Sequence, residues 1–148
     1  MESSDVAIED AHPGDLSAVL ELLAGATLPR AGVAQHFDTF LVARSGERLV
    51  GAIGLERYGD SGLLRSAVVS PDRRGEGIGR ALAAELLKRS AGGGVKRVFL
   101  LTETAAPFFG HLGFVPIARE AVDARVRSSV EFTEACPVSA ACLWRPIP

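Results

Sequence analysis

The chain has 148 residues, 47% of them apolar and 23% charged, with a net charge of −2. That is long enough for one domain with a proper core, and it is the balance of an ordinary globular protein rather than a disordered one. Near-neutral charge with acid and base interspersed gives no electrostatic support for nucleic-acid or membrane-surface binding, and no apolar run approaches a membrane span.

In chain order, the acidic Met1–Asp5 does not resemble a leader, and two cysteines without a secretory signal lead us to expect free thiols and a cytoplasmic location. Val6–Ile8 reads as a first strand. Leu16, Val19, Leu20 and Leu23 recur at helical spacing, which predicts a helix over Asp15–Ala26, broken by Leu28-Pro29. A short helical piece follows around Val33–Phe37. Phe40–Ala43 and Leu49–Arg57 read as strands joined by a turn at Ser45-Gly46-Glu47, and a second turn at Gly59–Gly62 leads into the strand Leu63–Val69.

After Ser70-Pro71-Asp72 comes Arg74-Gly75-Glu76-Gly77-Ile78-Gly79, opening a helix over 77–91 with Ile78, Leu82 and Leu86 on one stripe. Gly92-Gly93-Gly94 stops it. Val95–Leu101 is the next strand, Ala105–Leu112 a short helix capped by Gly113, and Phe114–Ile117 a strand. Ala121–Phe132 reads as a helix and Ala140–Trp144 as the last strand. Early antiparallel strands followed by a strand–helix–strand crossover predict an α/β fold with a mixed sheet, in one domain over 1–148.

The 74–79 stretch carries the chemistry. A strand, a glycine-rich turn and a helix present unpaired first-turn N–H groups and the positive end of the macrodipole to an anion. Glycines at 75, 77 and 79 admit a phosphate without Cβ atoms in the way, and Arg73, Arg74 and Arg80 add charge. A tight strand-to-helix turn needing glycine for sterics alone remains the alternative. The triphosphate-binding pattern is absent because the chain has no Gly-Lys pair, and Arg80 stands where a dinucleotide fingerprint needs glycine.

Arg-x-x-Gly-x-Gly from Arg74, after a strand ending Ala67-Val68-Val69, resembles the acetyl-CoA pyrophosphate arm of the GCN-five-related N-acetyltransferase (GNAT) superfamily. Phe108-Phe109-Gly110-His111-Leu112-Gly113-Phe114 resembles that superfamily's mark after the fifth strand, and the order of elements is similar over essentially the whole chain. Leu64-Arg65-Ser66, Leu101-Thr102-Glu103-Thr104, Phe108-Phe109 and Cys136-Pro137-Val138-Ser139-Ala140 look most like the small N-acetyltransferases associated with arsenic resistance. Leu63 to Phe114 is also similar to amino-acid (glutamate) N-acetyltransferases.

The resemblance implies a mostly antiparallel sheet flanked by helices and splayed between its fourth and fifth strands. It implies acetyl-CoA as cosubstrate, with the backbone of Ala67, Val68 and Val69 pairing with the pantetheine arm. Arg74 and residues Gly75, Glu76, Gly77, Ile78, Gly79 and Arg80 would hold the pyrophosphate, and a backbone N–H near Val69 would stabilise the oxyanion. Two positions depart from the family pattern. Thr102 stands where many members have Asn against the cofactor arm. Phe109 replaces a Tyr that donates to the CoA thiolate; a thiol pKa of about 8.5 makes that thiolate a tolerable leaving group without a dedicated acid.

Transfer to an amine needs a base, and Glu56, in an otherwise apolar strand, is the candidate; a solvent-facing residue at a strand end is the alternative. Arg65 and Ser66 interrupt the cofactor strand. Arg65 reads either as a clamp for a substrate carboxylate or as an ion-pair partner of Glu56 or Asp60, and Tyr58 as a lining of the acceptor pocket or simple packing. Cys136 and Cys142 read as small buried apolar residues rather than arsenic ligands, and the histidines form no metal pattern.

The expected activity is acetyl transfer from acetyl-CoA to the primary amine of a small amino-acid-like molecule, without metal, nucleic acid or membrane partner; a homodimer is admitted. A glutamate-type N-acetyltransferase is the alternative, and a non-catalytic acyl-CoA sensor the alternative of another class.

Overall fold

A computed structural model describes residues 5–148. Seven strands form one sheet in the order β1-β2-β3-β4-β5-β7-β6. They are β1 (Val6–Asp10), β2 (Leu41–Ser45), β3 (Arg48–Tyr58), β4 (Ser61–Val69), β5 (Arg97–Thr102), β6 (Val115–Pro116) and β7 (Ala141–Pro146). All neighbours are antiparallel except β4 and β5, which run parallel. The helices are α1 (Leu16–Gly25), α2 (Ile78–Gly92), α3 (Ala106–Gly110) and α4 (Ala124–Arg127). Among them, none is long and apolar enough to cross a membrane. The expected α/β architecture is the one observed.

Alternation along the strands assigns the two faces. In β2, Leu41 and Ala43 pack with Ile78, Leu82 and Leu86 of α2, while Val42 packs with Val19 and Leu23 of α1. Ile78, Leu82 and Leu86 are 3% exposed or less. Burying each is worth about 1.5–3 kcal/mol, which is what pins the crossover helix to the sheet. Gly54 in β3 makes room for Phe40, since a Cβ there would stand 2.2 Å from the ring.

The parallel pairing of β4 with β5 covers only Ser61–Leu63 against Arg97–Phe99. Beyond Leu63 the two strands part, and this is the expected splay. A bulge adds to it: β3 advances from Ala52 to Gly54 while β4 retreats from Val68 to Arg65, placing one extra residue in β4. Ser66 takes the strain, with φ +61°.

Several boundaries move. The β3–β4 turn contracts to Gly59-Asp60, because Ser61 and Gly62 join the ladder opposite Tyr58 and Arg57. β1 extends to Asp10 through pairing with β2. The predicted helix over Ala121–Phe132 is not one helix. Asp123 accepts the Arg125 amide and starts α4, which stops at Arg127, and a separate π-helical turn covers Glu131–Ala135, closed by Cys136 N–H to the Glu131 carbonyl. Val122 and Val126 are buried, so the helical spacing was real for a single turn only.

Candidate active site

A cavity of about 800 Å³ fills the splay, within the range of small-molecule sites. Its walls are Arg65–Val69 of β4, Leu100–Thr102 of β5, the Gly25–Pro29 loop after α1, and Phe108 and Phe109 of α3; Glu131 and Cys136 close one end and Arg74 and Gly79 the other.

The Arg74 end has the form of an anion site. Gly75 and Gly77 have φ of +85° and +87°, a region that favours glycine, and a Cβ at either would meet nothing within 4 Å. Gly77 is the N-cap of α2 and no side chain caps it, so the amides of the first turn keep their donors. Arg74 and Arg80 are exposed. Arg73 is not a free charge: it is paired with Glu76 at 3.0 Å and with Asp5 at 3.1 Å. Thus Glu76 neutralises a neighbour in this turn. The open space, the aligned donors and the two remaining cations suit a pyrophosphate, and they are the residues that would hold that part of acetyl-CoA.

Between the ends, β4 pairs with β3 along one edge but with nothing along the other beyond Leu63, leaving a strand edge on which an extended arm can pair. Thr102 lines the cavity opposite, its Oγ1 accepting the Ala105 N–H at 2.9 Å. Phe109 also lines it and is held by edge-to-face contacts with Phe108 and Phe114.

The far end is a buried charge cluster. Arg65 Nη1 donates to Glu56 Oε2 at 2.7 Å, with side chains 0% and 1% exposed. Arg65 Nε donates to Ser66 Oγ at 3.0 Å and Nη2 to the Pro29 carbonyl at 3.2 Å. Glu56 is therefore not solvent-facing, and of the two ion-pair partners expected for Arg65 the structure selects Glu56; Asp60 binds Arg97 and Arg125 instead. The Tyr58 hydroxyl donates to Glu56 Oε1, and burial followed by this contact raises its pKa. Neither Glu56 nor Tyr58 lines the cavity, whereas Arg65 and Ser66 do.

The sequence reading missed Glu131. Its side chain is 4% exposed, lines the cavity and stands 3.5 Å from Arg65 Nε. Burial above all, with Glu56 nearby, pushes its carboxyl up to about 7 against the pull of Arg65 and of a Cys136 hydrogen bond. The signal was a lone acid between Val130 and Phe132, masked by an apparently continuous helix. Burial, then Glu131, pushes the Cys136 thiol up to about 12, and burial raises Cys142 as well, so both free thiols stay protonated near neutrality.

The family model for the acetyltransferase (GNAT) domain matches residues 36–116. The chain is 27% identical over 118 residues to an amino-acid acetyltransferase of Neisseria meningitidis, matching 74% of this chain but only 27% of that protein. It thus spans about a quarter of the length of the curated relatives it matches. The fold superimposes on N-acetylglutamate synthase from Neisseria gonorrhoeae, solved with coenzyme A and L-arginine, at a TM-score of 0.80 and 23% identity over 96% of this chain and 33% of that one. It also superimposes on a Mycobacterium tuberculosis protein solved in complex with CoA (TM-score 0.79, 23% identity, 96% and 99% coverage). A GNAT-family acetyltransferase from Staphylococcus aureus gives 0.80 at 16% identity, with 97% and 99% coverage.

Proposed function

The chain belongs to the GNAT acetyltransferase domain family, and on that premise we propose that it transfers the acetyl group of acetyl-CoA to the primary amine of a small amino-acid-like acceptor. The observation that carries this reading is the cavity of the splay, with an anion site at Arg74–Arg80, a free β4 edge along Ala67–Val69, and buried charge at Arg65 and Glu131. The cosubstrate supplies an activated thioester. The chain supplies amides for the pyrophosphate, a strand edge for the arm, and a backbone donor near Val69 for the developing oxyanion.

The acceptor class rests on charge. Glu131 and Glu103 line the acceptor side, where an ammonium is favoured. Arg65 lines the cavity as its cation, and although its side chain is closed to solvent and engaged by Glu56, Ser66 and Pro29, its positive charge favours a substrate carboxylate nearby. Similarity to an amino-acid acetyltransferase favours ordinary amino acids, glutamate among them. The motif resemblance adds amino-acid-like arsenicals to the same class.

Acceptor selectivity tests the assignment. Amino acids are expected to be acetylated with a kcat/KM well above that of their decarboxylated counterparts and of lysine peptides. Equal rates for all three would remove the carboxylate-bearing acceptor while leaving acetyl transfer in place.

A further inference from the structure

Resting on the acetyl-transfer reading, we propose that Glu131 is the residue that takes the proton from the acceptor ammonium, and that the buried Arg65–Glu56 pair positions it. The cluster holds two buried carboxylates, and geometry separates their roles. Glu56 lies behind Arg65, outside the cavity, with one oxygen taken by Arg65 and the other by the Tyr58 hydroxyl. A substrate in the splay does not reach it. Glu131 faces the cavity itself, and its nearest cation, Arg65 Nε at 3.5 Å, is turned toward Ser66 Oγ at 3.0 Å. That contact is long for a hydrogen bond, so beside the Cys136 thiol the Glu131 carboxylate keeps room to accept a substrate N–H.

Position along the strand agrees. Arg65 stands at the start of the β4 edge that ends at Val69, so Glu131 lies at the end of the cavity away from the glycine turn, on the acceptor side. Glu131 also opens a π-helical turn, a distortion often found at functional sites, and the turn points this carboxylate inward.

The charged and titratable groups around it are Arg65 from β4, Glu56 and Tyr58 from β3, and Cys136 at the end of its own turn, with Glu103 and Arg119 acting on that Cys136. Their balance, dominated by burial, leaves a carboxyl that titrates at about 7, where a general base works best near neutral pH.

In the step itself, Glu131 accepts one proton from the ammonium and the freed nitrogen lone pair forms a bond to the thioester carbonyl carbon. The C–S bond then breaks with its electron pair on sulfur, and the second nitrogen proton ends on that sulfur. One proton is released to solvent from Glu131, which restores the carboxylate.

The test compares wild type, Glu131→Gln and Glu131→Asp by pH-dependent kinetics, CoA calorimetry and thermal melting. Wild-type kcat/KM is expected to rise through about pH 7. Glu131→Gln should lose at least about tenfold in kcat and lose that limb, its remaining rise following the acceptor amine at about 7.7–8.0. Its CoA affinity should stay within about twofold, since the phosphate end is untouched. Glu131→Asp should restore the limb in part. An active wild type beside a Glu131→Gln protein that loses less than tenfold, or keeps the limb at pH 7, overturns the proposal alone. A wild type that binds CoA but acetylates no amine overturns the acetyl-transfer reading and the proposal with it.

Discussion

Arg65 and Glu56, on adjacent strands, form an ion pair of 2.7 Å with both side chains essentially inaccessible to solvent. Gly32 packs over it, where a Cβ would stand 3.0 Å from Arg65 Nη1. Such a pair is held by Coulomb attraction and its hydrogen bond against the desolvation cost of both charges, and each partner is costly without the other. Arg65 also reaches Ser66, Pro29 and, at 3.5 Å, Glu131. One buried cation thereby ties the β4 bulge, the loop after α1 and the π-helical turn together at the acceptor end of the cavity.

Glu56→Gln is therefore expected to lower stability by about 3–5 kcal/mol, the usual cost of removing one partner of a buried pair. Because Glu56 raises the Glu131 carboxyl, the same variant should move the acidic limb of activity below pH 7. Chemical denaturation reads the first effect and kinetics the second. A variant as stable as wild type would mean that the pair is not a structural element.

The parts of the fold legible in the sequence were those set by local pattern. The Ile78-Leu82-Leu86 stripe, the glycine turn before it and the alternating strands all sit where their spacing puts them. The acceptor end was not legible, for physical reasons. Arg65 and Glu56 are nine residues apart and meet only through the β3–β4 register. Glu131 meets Arg65 across 66 residues of chain, through a turn whose i→i+5 bond has no sequence period of its own. Side-chain type pointed to Glu56 as a base candidate; only the fold shows that Glu131 lines the cavity and Glu56 does not.

The anion turn has its own test. Gly77→Asp is expected to weaken CoA binding at least about tenfold, or 1.4 kcal/mol, because a carboxylate would enter the space beside the α2 amides. Gly77→Asn carries similar strain at φ +87° without the charge, and should lose much less. Calorimetry finding equal CoA affinity in wild type and Gly77→Asp would refute the site.

Glu131 also leaves a mark on stability. Its folded carboxyl titrates at about 7 against an ordinary value of 4.5, so between those values the folded state holds the extra proton. Its contribution is present in full below about pH 4.5 and is lost as pH rises through 7, a change of up to about 3 kcal/mol. Glu131→Gln cannot lose a proton, so its stability relative to wild type should improve from pH 5 to about pH 7 and level off above it. Parallel stability profiles for the two proteins would show that Glu131 does not titrate in that window.

In the proposed function, the splay between β4 and β5 holds acetyl-CoA and passes its acetyl group to an amine. The most direct measurement incubates the protein with acetyl-CoA and a panel of amino acids and follows both products, free CoA thiol and N-acetylated acceptor, by mass spectrometry. Equal amounts of the two are expected, with turnover well above the reaction without protein and sensitive to Glu131→Gln. Tight CoA binding with no N-acetylated product from any acceptor would contradict it and identify the cavity as that of an acyl-CoA sensor.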